Sequence, residues 1–278
     1  MGLQQNLNDI QTNLLAAKTA IAQSISNKGV ECSATDKLST FATKIDSIKT
    51  GSTGGTGEKF VVPNGLKFGY STVFDPELYD VSNVTDMSVM FYECSRLTSL
   101  DLSGWNTSKA IYMENMFQEC SRLTSLDLSG WNTSKVTDIR AMFHNCSALT
   151  SLDLSGWNTS KVTDISGMFY NCSALTSIDL SGFSLISCTK AADIFRFDNN
   201  LVNLKLPDLG HNQNCTSLDL TFCSKLTKDS ILFLFNNAFD RSAAGYTKAF
   251  TIKLNATTKA LLTEDEIAIA TNKGFTVV

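Results

Sequence analysis

The stretch LTSLDLSGWNTSK fills residues 97–109, and it returns letter for letter at 123–135 and 149–161. LTSIDLSG follows at 175–182, so the period is 26 residues. A catalytic constellation is written once, whereas a scaffold or a surface is written by repetition. The whole unit reads LTSLDLSGWNTSKVTDISGMFYNCSA, residues 149–174. Leu149, Leu152 and Leu154 follow LxxLxL spacing. Along SLDL, strand alternation sends Leu152 and Leu154 one way, Ser151 and Asp153 the other. Gly156 permits a turn. Val162, Ile165, Met168 and Phe169 then recur at helical spacing, with Thr163 or Asp164 suited to cap a short helix.

One such coil cannot bury its own apolar face, but stacked coils can. The expected fold class is therefore an α/β repeat: a leucine-rich-repeat solenoid with a parallel sheet on one face, preceded by an N-terminal helical coiled-coil segment. Outside the array, a half-repeat with a strand at 72–74 is expected before it. After it come a helix at 228–237, a strand in AFTIKL, and a last helix opened by the capping box TEDE at 263–266. Gly274 stops that helix, and FTVV closes the chain as a strand.

Residues 1–50 read as a helical oligomerisation and attachment segment. Leu3, Leu7, Ile10, Leu14, Ala17 and Ile21 alternate steps of four and three, the seam of a coiled coil. Leu at a positions with Ile at d leans towards trimers. A second helix is expected from Thr35 or Asp36, with Leu38, Phe41, Ile45 and Ile48 on one side. Residues 51–59, with GSTGGTG at their core, read as a flexible linker. Residues 60–278 form the head: an N-terminal cap and half-repeat at 60–96, repeats at 97–206, and a C-terminal cap at 207–278.

The totals narrow the function. Of 278 residues, 43% are hydrophobic and 18% charged, with a formal net charge of −4. No basic excess exists to neutralise phosphates, so nucleic acid is not expected as a partner. The opening MGLQQNLNDI has no basic, apolar or lipidation signature, and membrane insertion is not expected. No nucleophile motif or phosphate loop occurs, and the histidines are only His144 and His211, so no enzyme is expected. No cofactor is implied. The eight cysteines show no CxxC spacing, so no metal site is expected.

Stacking places equivalent residues about 4.8 Å apart in ladders. Trp105, Trp131 and Trp157, continued by Phe183, are expected as a core spine, the alternative being a row that stacks on sugars. Cys94, Cys120, Cys146 and Cys172 are expected as buried free thiols, because in-register side chains run parallel; the alternative is a chain of disulfides. Asp101, Asp127, Asp153 and Asp179 line the exposed strand face, where neighbouring charges repel by roughly 1 kcal/mol even in water. Relief must come from Ser and Thr hydrogen bonds, bound cations or a basic partner, and Lys109, Lys135 and Lys161 form a compensating row elsewhere on the coil. Tyr92, Gln118, His144 and Tyr170 occupy one drifting position and are read as a solvent-facing rim; they are either neutral drift or a chosen contact surface.

The stretch LDLSGWNTSKVTDISGMFYNCSAL, residues 152–175, resembles the BspA-like leucine-rich repeat of bacterial surface proteins, and the likeness extends over about 78–200. The opening LNDIQTNLLAAKTAIAQSISNKG and the ending LTEDEIAIATNKGFTVV resemble segments of structural proteins of phages of gut bacteria. Together these resemblances imply a non-enzymatic virion structural protein, a head or tail fibre or appendage made in the host cytoplasm. Its N-terminus would anchor to other virion proteins and trimerise. Its head would bind a host-surface glycan or protein through Asp101, Asp127, Asp153, Asp179 and the rim. The alternatives are a BspA-like adhesin on a bacterial surface and, less favoured, a polysaccharide-degrading enzyme. If residues 3–24 hold a trimer, sedimentation of the full chain gives three copies while a chain starting at Gly57 is monomeric; a full-length monomer would refute the seam.

Overall fold

The computed structural model describes residues 59–68, 74–207 and 210–278. The heptad, the second helix, the Gly-rich linker and Cys32 lie outside the described residues. So does most of the strand expected at 72–74, and Phe74 itself carries no strand.

The strands are short and parallel, and β3 to β6 start at multiples of the 26-residue period. β1 (Phe60–Val61) pairs with β2 (Tyr79–Asp80), and β3 (Ser99–Asp101) with β4 (Ser125–Asp127). β5 (Ser177–Asp179) pairs with β6 (Asn203–Lys205), and β7 (Ser217–Leu220) with β8 (Phe250–Leu254), which also pairs with β9 (Phe275–Val277). The register sets each residue against its own repeat equivalent: Ser99 on Ser125, Leu100 on Leu126, Asp101 on Asp127. Leu100, Leu126 and Ile178 are buried between exposed Ser and Asp neighbours, as the alternation requires.

One continuous sheet was expected on this face, and the structure corrects that. Ser151–Asp153, the third copy of the same letters, forms no strand, and Leu152 is only half-buried. Spacing between coils makes the difference. A Cβ on Gly130 would lie 1.9 Å from Ser103 O, so those coils touch backbone to backbone; at Gly156 the distance to Ser129 O is 3.9 Å. Trp131 Nε1 donates to Leu102 O at 3.0 Å, yet Trp157 Nε1, opposite the wider gap, has no partner.

The short helix expected at 162–169 is also absent; residues 166–169 form a turn and Asp164 an isolated bridge. Two left-handed residues per copy explain this. One row is Val89, Asn115, Ala141, Gly167 and Asp193, and the other is Glu93, Glu119, Asn145, Asn171 and Phe197, all at positive φ. Left-handed residues only four apart interrupt any helical ladder. Their N–H groups are turned along the stack instead. Val89 N donates to Glu114 O (3.0 Å), Asn115 N to Arg140 O (3.0 Å), and Ala141 N to Ser166 O (2.8 Å). Asp164 does not cap a helix; its Oδ1 accepts from Ser166 N at 2.9 Å and closes a turn. The unbroken ladder is thus on the turn side, where Asp86, Tyr112, Asp138, Asp164 and Lys190 bridge in sequence.

Behind these turns runs the core. Phe91, Phe117, Phe143, Phe169 and Phe195 stack face to face with centroids 5.5–5.7 Å apart. Trp105, Trp131, Trp157 and Phe183 are each 4% exposed, so the indole row is core and offers no sugar platform. Threonine forms the polar rungs. Thr107 Oγ1 donates to Asn132 O and accepts from Asn132 N (3.2 and 2.9 Å); Thr133 repeats this with Asn158 (3.1 and 2.8 Å), and Thr159 with Ser184 (3.0 and 2.8 Å).

After the last repeat, α1 (Lys228–Asn237) forms over the expected residues, capped by Thr227 Oγ1, and packs on β6. α2 (Ala256–Lys259) is a single turn. α3 (Glu264–Asn272) opens with the expected Thr263–Glu266 capping box. Gly274 then turns at φ +85°, where any Cβ would press on Arg241. Arg241, buried to 1%, organises this end. Its guanidinium donates to Gly210 O and Lys248 O and lies over the rings of Tyr246, Phe250 and Phe275.

The cysteine ladder is free and buried. Three of its thiols donate to the carbonyl 29 residues earlier: Cys120 to Phe91 O, Cys146 to Phe117 O, Cys172 to Phe143 O. The fifth place in the ladder holds Asp198, fully buried between coils that carry Cys172 and Cys223. Neither carboxyl oxygen has a hydrogen-bond partner among the described residues, and the neighbouring Cys172 N–H is committed to Phe169 O at 3.0 Å. Burial pushes the Asp198 pKa up to about 8, with that N–H opposing only in part. The folded chain therefore binds a proton that the unfolded chain releases above about pH 4, and stability falls as pH rises towards 8.

Two outcomes follow from this core. Thr133→Val keeps the shape but orphans the Asn158 N–H and C=O, and should cost about 2–4 kcal/mol in denaturant unfolding. The exposed Thr163, which gives one bond to Thr137 O, should cost under about 1 kcal/mol on the same change. Asp198→Asn should flatten the decline in thermal midpoint between pH 5 and 8, its advantage growing with pH to several kcal/mol, on the order of 5 at most. Parallel pH curves for variant and wild type would mean that Asp198 is not held protonated.

Candidate binding surface

Where the strand pairing lapses, the exposed face opens into a trough of about 940 Å³. Ser99, Asp101, Ser125, Asp127, Ser151, Asp153, Ser177 and Asp179 line it, with Leu152 at its floor. All four aspartates expected to share this face are brought together there.

Each is held the same way. The carboxylate Oδ1 accepts the N–H two residues on: Ser103 to Asp101 (3.0 Å), Ser129 to Asp127, Ser155 to Asp153 and Ser181 to Asp179 (2.9 Å each). LDLS thus encodes a turn in which the carboxylate closes the loop after the strand. The Ser103 hydroxyl, donating at 2.7 Å, and its N–H hold the Asp101 pKa below the usual range. The Ser155 N–H and hydroxyl do the same for Asp153, although Asp127 and Asp179 oppose from either side. Asp179 is set apart by its register partner. Lys205 Nζ donates to its Oδ2 at 2.8 Å and, with Ser181, brings its pKa to about 2. Asp219 likewise faces Lys253 at 3.4 Å. Among the described residues, Asp101, Asp127 and Asp153 have no ion-pair partner. Three adjacent carboxylates therefore keep one oxygen each for solvent or a ligand. Lys109, Lys135 and Lys161 do not line the trough, and Lys109 Nζ is given to Asn83 Oδ1 at 2.7 Å.

Tyr92, Gln118, His144 and Tyr170 do not line it either. They were expected to face solvent, but all four are half-buried. Packing between copies is the reason. The His144 and Tyr170 rings stack at 4.4 Å, Tyr170 meets Phe197 edge-on at 5.2 Å, and the Lys67 ammonium sits 5.1 Å over Tyr92. Burial lowers the His144 pKa against the pull of Glu119. Neighbouring drift positions answer one another: Arg140 pairs with Glu114 at 3.4 Å, and Asn145 donates to Glu119 at 2.6 Å. The change from Glu114 to Arg140 was visible in the sequence, and only the stacking showed that the two meet.

Among the described residues, no group of three or more His, Cys, Asp or Glu side chains could hold a metal ion. Among them too, no helix is long and apolar enough to cross a membrane.

The chain matches the protein family described as Mycoplasma protein of unknown function, DUF285, over residues 67–183 and again over 100–208. No curated protein matches. The two matches span 67–208, just over half of the chain and the whole of the aspartate-lined face, and the protein belongs to the DUF285 family.

Proposed function

We propose that the described repeats are coils of one leucine-rich-repeat solenoid of the BspA-like kind, and that its strand face is a non-enzymatic receptor-binding surface. The observation that carries this reading is the trough. Asp101, Asp127 and Asp153 sit side by side, unneutralised, between serine hydroxyls on a backbone fixed by its own turns. A rigid face loses little ordering entropy on association. Carboxylates and hydroxyls in a row suit a ligand rich in hydroxyl, amine or basic groups and repel a polyanion. A neutral or amine-bearing host-surface glycan, or a basic loop of a surface protein, fits those terms.

The setting proposed for this face is a phage virion, as a head or tail fibre or appendage. The heptad of residues 3–21 would hold three copies and attach them to other virion proteins. Many copies on one particle would raise weak single-site affinity through avidity. The likeness of both chain ends to phage structural proteins favours this over the second reading, an adhesin displayed on a bacterial surface.

Asp127→Asn with Asp153→Asn keeps shape and removes two like charges. The full-length variant should hold its thermal midpoint within a few degrees while binding to host cells or to arrayed neutral and amino sugars falls at least tenfold. Normal binding by this variant would refute the trough. If a Gln118→Ala, His144→Ala variant also bound normally, the contact would move to the C-terminal end.

A further inference from the structure

Cys188 and Cys215 stand outside the cysteine ladder, and their position is set by a different turn. In each coil one residue donates its N–H to the carbonyl three residues back: Ala110 to Thr107, Val136 to Thr133, and Val162 to Thr159, all at 2.9 Å. Cys188, donating to Leu185 O at 3.0 Å, and Cys215, donating to Asn212 O at 3.3 Å, make the same turn in the next two coils. Where the earlier coils stack alanine on valine on valine, the last two stack cysteine on cysteine.

The two thiols are close enough to influence each other, and the Cys188 thiol itself donates to Lys190 O at 3.3 Å. Both line a cavity of about 10 Å³, beside His211 and Asn212. That volume is near the room one water needs. Cys215 is 8% exposed, against 2% for Cys188.

The surroundings divide the roles. The contact from Cys188, then the Ser217 N–H and the charge of Arg241, favour the Cys215 thiolate against the opposing effect of burial. The same contact, together with burial, keeps Cys188 protonated. The more exposed Cys215 is thus placed as the nucleophile and the enclosed Cys188 as its resolving partner.

We propose that Cys188 and Cys215 are a redox-active dithiol, a modification site at which hydrogen peroxide installs a disulfide between two adjacent coils. The Cys215 thiolate attacks one peroxide oxygen, the O–O bond breaks, and hydroxide leaves. Cys215 is then a sulfenic acid. The Cys188 sulfur attacks the Cys215 sulfur and the S–O bond breaks. The departing hydroxide takes the Cys188 proton and leaves as water. Two thiols have supplied the two electrons that reduce one peroxide. Cys215 is the more exposed of the two, so the oxidant reaches it first, and no binding function of the trough is required.

The test uses the full chain, purified reduced and exposed while native to hydrogen peroxide. Remaining thiols are alkylated, and the chain is digested with trypsin, for which Lys190, Arg196 and Lys205 place the two cysteines on separate peptides. The expected product is a 188–215 linked peptide that dithiothreitol reverses, with a raised thermal midpoint for the oxidised protein. Cys188→Val carries the residue that coils use at 136 and 162, so it should fold. It should give no link, and Cys215 should be trapped by dimedone as its sulfenic acid. The fully enclosed pair Cys94 and Cys120, on successive copies of the ladder, is the internal control. Recovery of Cys188 and Cys215 as free thiols, over-oxidation of Cys215 without a link, or a 94–120 link as the main product would overturn the proposal.

Discussion

The structure depends on where the turn residues send their backbone N–H groups. In an α-helix they would bond four residues back and be spent within the segment. Here two left-handed residues in each copy rotate them along the stack, so that Val89, Asn115, Ala141 and Gly167 each bond the next copy. Holding Val89 or Ala141 at positive φ costs about 1–2 kcal/mol apiece, and the inter-copy bonds must exceed that cost. Glycine at 167 and asparagine at 115, 145 and 171 lower it where they occur.

Once the turns lock one copy to the next, every side chain faces its own equivalent, and composition follows. Flat rings tolerate self-stacking, hence the phenylalanine column. A small thiol fits a narrow place and can still give a hydrogen bond to a carbonyl. A hydroxyl that both donates and accepts satisfies one backbone N–H and one C=O together, which is why threonine is buried at 107, 133 and 159. Asp198 has the size for the thiol place but brings a charge that the core cannot solvate, and protonation is how such a group is accommodated. Arg241 poses the opposite case. Its charge stays buried because two carbonyls and three aromatic faces receive it.

The same self-pairing creates the acidic face. Aspartate is there first for a local reason, to close the turn after each strand. Its repetition is what builds a row of like charges. At 179 and 219 lysine on the next strand absorbs the charge, and at 101, 127 and 153 no cation among the described residues does. The proposed binding surface rests on this retained row.

The 26-residue period alone determined the register, the inward leucines, the buried tryptophans and thiols, and the shared face of Asp101, Asp127, Asp153 and Asp179. These are consequences of side-chain type and spacing, which a repeat preserves. The helix at 228–237 and the capping box at 263–266 were legible for the same reason, because their signals are local. Residues 162–169 were misread as a helix, because helical spacing of apolar residues does not report the sign of φ. The gap at 151–153 was beyond any reading of the letters, since identical letters pair as strands one copy earlier. The half-buried rim, the thiol pair at 188 and 215, and the cage around Arg241 were likewise settled by tertiary structure. In each case the deciding quantity is the distance between neighbouring coils, and no single coil contains it.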